Sequence, residues 1–341
     1  MSEEKELSYK ESIVKARDHM LRFPLVPVKG VPLMNLIANV FDSISAFRPD
    51  PSDILVATYP KAGTTWTQEI LDLLLHNGNA EACKRAPTPV RSPFLEIVPP
   101  PPIPSGLELL EKTDPPRIIK THLPVQLVPA GFWEEKCKVI YCARNAKDNL
   151  VSYYFFDLMN QTQPEPGPFD GYIHKFMQGK LAWGSWYDHV KDYWAAREKK
   201  NILFIFYEDM KENPRREVER IMRYLNMSLS DEVINRIVDL TSFKNMKENP
   251  MSNYSCVPMP VFDETISPFM RKVTSFIGCD QDGQGHGHGR SSLKDLTVKS
   301  SKVLVLITAL HEMGLHRPEE RVRTIEFQEK HQETNTMITS W

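Results

Sequence analysis

No stretch of this 341-residue chain is apolar for long enough to cross a bilayer. The longest late run, Val303 to Leu310, falls far short of the roughly 20 residues that a spanning helix needs. Met1 to Arg22 is charged throughout and has no apolar signal core. The expectation is a soluble, cytoplasmic protein that makes no membrane contact. An excess of one charge is missing too: the formal net charge is −2, whereas general nucleic-acid binding needs a clustered basic surface. No nucleic-acid partner is expected, and any anion site must be local. The five cysteines form an odd set without a C-x-x-C pair, so neither a disulfide framework nor a zinc site is indicated, and no metal is called for. Cys137 and Cys142, in an apolar strand, read as inert buried thiols. Glycine is sparse, and none of the 15 stands in the G-x-x-x-x-G-K-[ST] pattern of nucleotide loops.

What is present is a strand, a loop and a helix between Ile54 and Leu75. Ile54 to Thr58 is a β-branched apolar run, and from Thr65 onward Trp66, Ile70, Leu73 and Leu74 recur at helical spacing. Between them Pro60 stiffens a turn and Gly63 lets the backbone approach a ligand without a Cβ in the way. A helix N-terminus carries unpaired N–H groups and the positive end of the macrodipole, which suits it to a phosphate or sulfate oxyanion. Lys61 adds a full charge. It precedes the only glycine of the loop by two places, so it should meet the anion from a different side than a nucleotide-loop lysine does. The alternative is an ordinary turn whose Thr64 or Thr65 merely caps the helix.

Around this centre the chain reads as one α/β domain over residues 1–272, with its core over about 50–272. The first 50 residues form a cover that includes an amphipathic run, Met34 to Phe47. Ala86 to Gly106 is rich in proline and should be loop; its Phe94, Leu95, Ile97 and Val98 either line a pocket or pack the loop down. Arg117 to Lys120 should be a strand, Lys138 to Ala143 another, and Ala146 to Met159 a helix capped by Asn145. In an open parallel sheet ligands bind at the carboxyl edge, so Lys120 and His122 should share the neighbourhood of the Lys61 loop. Arg144 at a strand end, with Ser152 on the next helix, could form a second anion site or merely cap its own loop. Tyr172 to Trp194 carries aromatics at helical spacing and reads as core. Ile202 to Tyr207 should be a fourth strand, followed by Glu208 and Asp209, which read better as first-turn acids than as metal ligands. Ser230 to Leu240 is one more helix, and Thr241 to Lys272 an irregular lid. From residue 273 the composition changes: the last 69 residues hold five of the ten histidines and one of the 27 prolines. This tail should be partly disordered, with a flexible linker around His286 and His288 and one helix at 303–315.

Five motifs in order, TYPKAGTTW, KTHLP, RNAKDNLVSYY, FYEDMKENP and ISPFMRK, resemble those of the cytosolic sulfotransferases, most closely the phenol (aryl) branch, over roughly Val28 to Lys272. The resemblance implies a single domain built around a parallel sheet, with a P-loop-like nucleotide site. It implies PAPS (3′-phosphoadenosine 5′-phosphosulfate) as sulfuryl donor, PAP as product and a small aromatic or phenolic acceptor. By the same resemblance Lys61, Gly63, Thr64, Thr65 and Trp66 would hold the 5′-phosphosulfate. Arg144 and Ser152 would grip the 3′-phosphate, Tyr207, Thr241, Ser242 and Phe243 would surround the adenine, and Arg271 and Lys272 would also belong to the cofactor site. Lys120 would assist at the sulfuryl group, His122 would be the base, and Phe94 and Phe156 would belong to the acceptor pocket. The chemistry agrees, because an imidazole can take the acceptor's proton and a fixed ammonium can stabilise charge growing on the leaving phosphate.

The resemblance stops at Lys272. The family continues with a G-x-x-G-D-W-K segment that completes the 3′-phosphate site, where this chain reads Val273-Thr-Ser-Phe-Ile-Gly. Losing two or three contacts of about 1.5–3 kcal/mol each would weaken donor binding by orders of magnitude. The short motif behind the family's homodimer is missing as well, which puts that dimer in doubt here. Two other readings therefore stand beside the sulfotransferase: a weak or inactive isoform, and an ATP-dependent small-molecule kinase with Asp209 on Mg²⁺.

Overall fold

The computed structural model describes residues 7–16, 19, 22–257 and 261–271. Lys272, the helix expected at 303–315 and the rest of the tail lie outside the described residues. Helix α1 (Tyr9–Ala16) buries Ser12, Ile13 and Ala16 on one face. Strands β1 (Leu25–Val28) and β2 (Val31–Met34) then form an antiparallel hairpin that the proline-rich sequence had hidden. Pro27 faces Pro32, and neither can donate, so the pair occupies a non-hydrogen-bonded rung where no N–H is needed. The amphipathic run that follows is split at Val40 into α2 (Asn35–Asn39) and α3 (Phe41–Ser45).

Strand β3 (Ile54–Thr58), buried along its whole length, leads through the Lys61 turn into α4 (Thr64–Leu75). The proline-rich stretch is not all loop: α5 (Thr88–Arg91) starts behind Pro87 and accepts Pro89 in its first turn, where a missing N–H costs nothing. Ser105 and Glu108 form a capping box on α6 (Gly106–Glu111). Strand β4 covers Ile118–Thr121, one residue later than expected. The cause is Arg117, whose N–H and guanidinium are both engaged by the buried Asp53 carboxylate. After α7 (Gly131–Glu134) come β5 (Lys138–Ala143) and α8 (Ala146–Met159), with Asn145 Oδ1 accepting from Lys147 N at 2.9 Å.

The aromatic stretch Tyr172 to Trp194 is two helices, α9 (Phe169–Met177) and α10 (Trp186–Ala196), rather than one spacing. Gly179, Trp183 and Gly184, all at positive φ, turn the chain between them. Strand β6 (Ile202–Phe206) stops one residue early because Tyr207 opens α11 (Tyr207–Glu212). Helices α12 (Pro214–Tyr224), α13 (Asp231–Leu240) and α14 (Phe243–Glu248) follow; the last lies in the stretch expected to be irregular.

The sheet order is β4-β3-β5-β6, all parallel. Every carboxyl end therefore opens on one edge, and the loops carrying Lys61, His122 and Arg144 emerge side by side. Under that edge α4, α12 and α13 pack on the sheet through Leu71, Leu74, Ile221 and Ile237. Each such buried side chain stabilises the fold by about 1.5–3 kcal/mol. The proline-rich loop is anchored from below, where Arg91 donates to Glu69 at 2.5 Å and to Asp72, both on α4.

Candidate active site

The Lys61 turn takes its shape from partners on β5, on α8 and on the loop between them. The carbonyls of Pro60, Lys61 and Ala62 accept from Asn149 Nδ2 at 2.8 Å, Arg144 Nη1 at 2.9 Å and Cys142 Sγ at 3.2 Å. Ala62 N donates to Tyr59 O at 3.2 Å and closes the turn on itself. Gly63 occupies the N-cap of α4 at φ 114°, and no side chain caps that helix; Thr64 Oγ1 instead bonds Thr58 Oγ1 at 2.7 Å. The helix end is left available to an anion. A Cβ on Gly63 would stand 2.9 Å from Tyr207 Cδ2, so the close packing of the turn requires glycine there.

Lys61, Lys120 and His122 all sit against aromatic rings. Lys61 Nζ sits 4.3 Å from the ring centres of both Phe156 and Phe269. Burial, then repulsion from Lys120 and Arg144, pushes its ammonium down to about 7. Lys120 Nζ lies 3.9 Å over Phe94 and is lowered to about 8 by burial, with Glu96 opposing. His122 is fully hemmed in. Its Nδ1 is 2.8 Å from the carbonyl oxygen of Thr58, which can only accept, so the proton is on Nδ1 and Nε2 keeps its lone pair. Burial and the Lys120 charge hold this imidazole well below its ordinary pKa.

A single cavity of about 440 Å³ joins these groups. Its walls include Lys61, Gly63, Thr64, Thr65, Trp66, Phe94, Lys120, His122, Phe156, Arg144, Ser152, Tyr207, Thr241, Phe243 and Arg271. Ser242 lies off the wall: it caps α14, accepting from Asn245 N at 3.4 Å. Lys272 lies outside the described residues. Ile97 and Val98 line the cavity, while Leu95 is packed into the body. Sequence reasoning missed Trp183, which it had read as core. Its indole is a wall of the cavity, stacked on Phe94 at 5.9 Å, with the His122 ring edge-on to both. The only local signal was its position before Gly184.

Among the described residues, three buried donors on these walls have no protein partner: Arg144 Nε, Trp66 Nε1 and Arg271 Nη2. Each unmade bond costs about 1–3 kcal/mol, which an anionic, hydrogen-bond-accepting ligand would recover. The residues present therefore fit an anionic nucleotide. They do not favour a metal. Glu208 Oε1 accepts from Asn145 N at 2.9 Å, and Asp209, off the cavity wall, lies 3.5 Å from Arg216. Among the described residues Asp72, His76 and Cys83 approach one another, but both Asp72 oxygens are engaged by Arg85 and Arg91. A cation there would have to displace two guanidinium groups.

Comparison with known proteins agrees with this geometry. Residues 51–276 match the family model described as "Sulfotransferase domain". The dog Sulfotransferase 1B1 is 51% identical over 252 residues, covering 74% of this chain and 85% of the relative. The mouse Sulfotransferase 1A1 is 51% identical over 254 residues, with 74% and 87% covered. Among solved structures, a retinol dehydratase in complex with retinol and PAP superposes with a TM-score of 0.65 at 26% identity, over 79% of this chain and 88% of that one. Mouse SULT7A1 complexed with PAP gives 0.57 at 25% identity, over 73% and 85%.

Proposed function

The chain belongs to the sulfotransferase family and is a PAPS-dependent sulfotransferase; from that premise we propose that it sulfates the hydroxyl of a small aromatic acceptor, with His122 as the base. The observation that carries this reading is the shared cavity of Lys61 and His122, with the imidazole lone pair left free by the bond to Thr58. PAPS supplies an activated sulfuryl group on a phosphate leaving group. His122 Nε2 takes the acceptor's hydroxyl proton as its oxygen bonds to sulfur, and the bond from sulfur to the phosphate oxygen breaks toward PAP. With the donor bound, Lys61 and Lys120 would stabilise the charge that grows on the departing oxygens, so their help would be greater in the transition state than before it.

The unpartnered donors of Trp66, Arg144 and Arg271 support the rest of the proposal. Trp66 and the Thr64–Thr65 helix end would serve the 5′-phosphosulfate, Arg144, Ser152 and Arg271 the 3′-phosphate, and Tyr207, Thr241 and Phe243 the adenine. Phe94, Phe156 and Trp183 would flank the acceptor ring. The family's cytosolic compartment suits a chain in which, among the described residues, no helix is long and apolar enough to cross a membrane. Incubation with labelled PAPS and a panel of phenols, amines and steroids tests the reading. Sulfated phenols are expected, and their absence with intact PAP binding would refute the acceptor class.

The sequence after Lys272 favours a further element of the same proposal. With Val273-Thr-Ser-Phe-Ile-Gly in place of G-x-x-G-D-W-K, PAP should bind more weakly here than to the mouse Sulfotransferase 1A1. Equal affinities by calorimetry would remove that expectation.

A further inference from the structure

Glu96 takes no part in the chemistry outlined above, yet its carboxylate is completely buried beside it. It comes from the proline-rich loop and ends between three donors. The backbone N–H of His122 reaches Oε1 at 2.7 Å, the Trp183 indole N–H reaches the same oxygen at 3.1 Å, and the Thr121 hydroxyl donates to Oε2 at 2.9 Å. A carboxylate is expensive to bury unless donors of this kind satisfy it. Burial pushes Glu96 up to about 7, against the hydrogen bonds from His122 and Thr121. The loop itself is registered to β4, with Leu95 N donating to Lys120 O and Lys120 N to Pro93 O, both at 2.9 Å. Glu96 cannot shift without disturbing the strand that carries Lys120.

The other side of His122 is held as well. His189 Nε2 lies 3.0 Å from the His122 carbonyl oxygen, and its Nδ1 is 2.8 Å from the Tyr141 hydroxyl. Since a carbonyl only accepts, Nε2–H of His189 donates and Nδ1 accepts from Tyr141. Glu96 thus holds the N–H of His122, His189 its C=O, and Thr58 its ring. Glu96 alone among these also grips Trp183, the indole against which both His122 and Phe94 pack.

We propose that Glu96 is a positioning residue for sulfuryl transfer, fixing the His122 backbone and the Trp183 indole with one carboxylate so that base and acceptor wall keep a common alignment. The proposal rests on the reading of His122 as the base. A carboxylate fits because three donors converge on two oxygens. A glutamine would keep Oε1 for His122 and Trp183 and lose only the acceptor of the Thr121 hydroxyl, whereas alanine would leave all three donors unmet.

The test uses the full chain with PAPS and a phenol. Misplacement of a reacting group by about 1 Å can cost on the order of 100-fold in rate, so Glu96→Ala should lower kcat by about that factor while PAP affinity holds. Its acid limb in kcat/KM should persist at a reduced plateau, because the base still titrates. Glu96→Gln should stay within about tenfold of the parent, and it keeps the test open if the alanine variant fails to fold. Trp183→Phe, which removes the N–H donor together with part of the ring stacked on Phe94, should raise the acceptor KM more than it lowers kcat. Parent kcat in Glu96→Ala, or a folded Glu96→Gln as slow as Glu96→Ala, would overturn the proposal. If His122→Ala retained full rate and its acid limb, the base reading itself would fall; if His122→Ala is dead while Glu96→Ala is unimpaired, only the positioning role falls.

Discussion

The ring of His122 hangs by Nδ1 from the main-chain oxygen of Thr58, the last residue of the central strand, at 2.8 Å. One hydrogen bond thus joins the carboxyl ends of β3 and β4, orients the imidazole and selects its tautomer. The strand that leads into the anion turn also sets up the base.

Removing that base should cost about 10²–10⁴-fold in kcat. His122→Ala is expected to bind PAP as the parent does and to transfer almost nothing. Burial and the Lys120 charge keep the imidazole neutral to well below its ordinary pKa. The rate needs the unprotonated form, so with PAPS saturating kcat/KM for the acceptor should stay flat as pH falls through neutrality and drop only below the usual imidazole range. A limb at or above that range in the parent enzyme would contradict this.

Donor binding should take up protons. In the donor-free protein Lys61 titrates near 7 and Lys120 near 8, so near pH 8 Lys61 is mostly neutral and Lys120 partly so. Bound phosphates favour the charged form, raise both values and draw protons from solvent. Affinity is therefore full below about pH 7 and declines as pH rises. Calorimetry of PAP binding at pH 8 in buffers of different ionisation enthalpy would reveal the uptake; identical heats would rule it out.

Lys61→Met should separate stability from function. The ammonium is buried between two phenyl rings and repelled by its basic neighbours, so replacing it should leave the melting temperature of the donor-free protein at pH 7 unchanged or raised. PAP affinity should fall about 10–100-fold, the equivalent of losing a charge-assisted contact of about 1.5–3 kcal/mol. A large drop in melting temperature with unaltered affinity would reverse the assignment.

Two glycines at positive φ offer a controlled comparison. Alanine at Gly63 would meet Tyr207 Cδ2 at 2.9 Å as well as backbone strain at φ 114°, while at Gly167, φ 72°, a Cβ would find nothing within 4 Å. Gly167→Ala should cost only the strain, about 1 kcal/mol, and Gly63→Ala more, up to about 3 kcal/mol. Only Gly63→Ala should also weaken PAP binding. Thermal denaturation with and without PAP reads both effects, and equal behaviour of the two variants would argue against a tight cradle at the turn.

The strand, turn and helix around Lys61, the strand ending at Ala143 and the Asn145 cap were legible in the sequence because neighbouring residues decide them. Apolar periodicity, a cap and a strand-end charge are local facts, and the parallel carboxyl edge then brings Lys61, His122 and Arg144 together as a matter of topology. Composition misled where it met prolines paired across a hairpin, and where a run of aromatics was folded back on itself at Gly179, Trp183 and Gly184. Only the tertiary structure decided what surrounds the base. Glu96 meets His122 across 26 residues of sequence and Trp183 across 87. Neither pairing leaves a periodic trace, because a buried carboxylate is recognised by the donors that close around it and not by its neighbours in the chain. The lowered ammonium of Lys61 has the same origin: any lysine is charged in a sequence, and burial among other cations is a property of the assembled cavity.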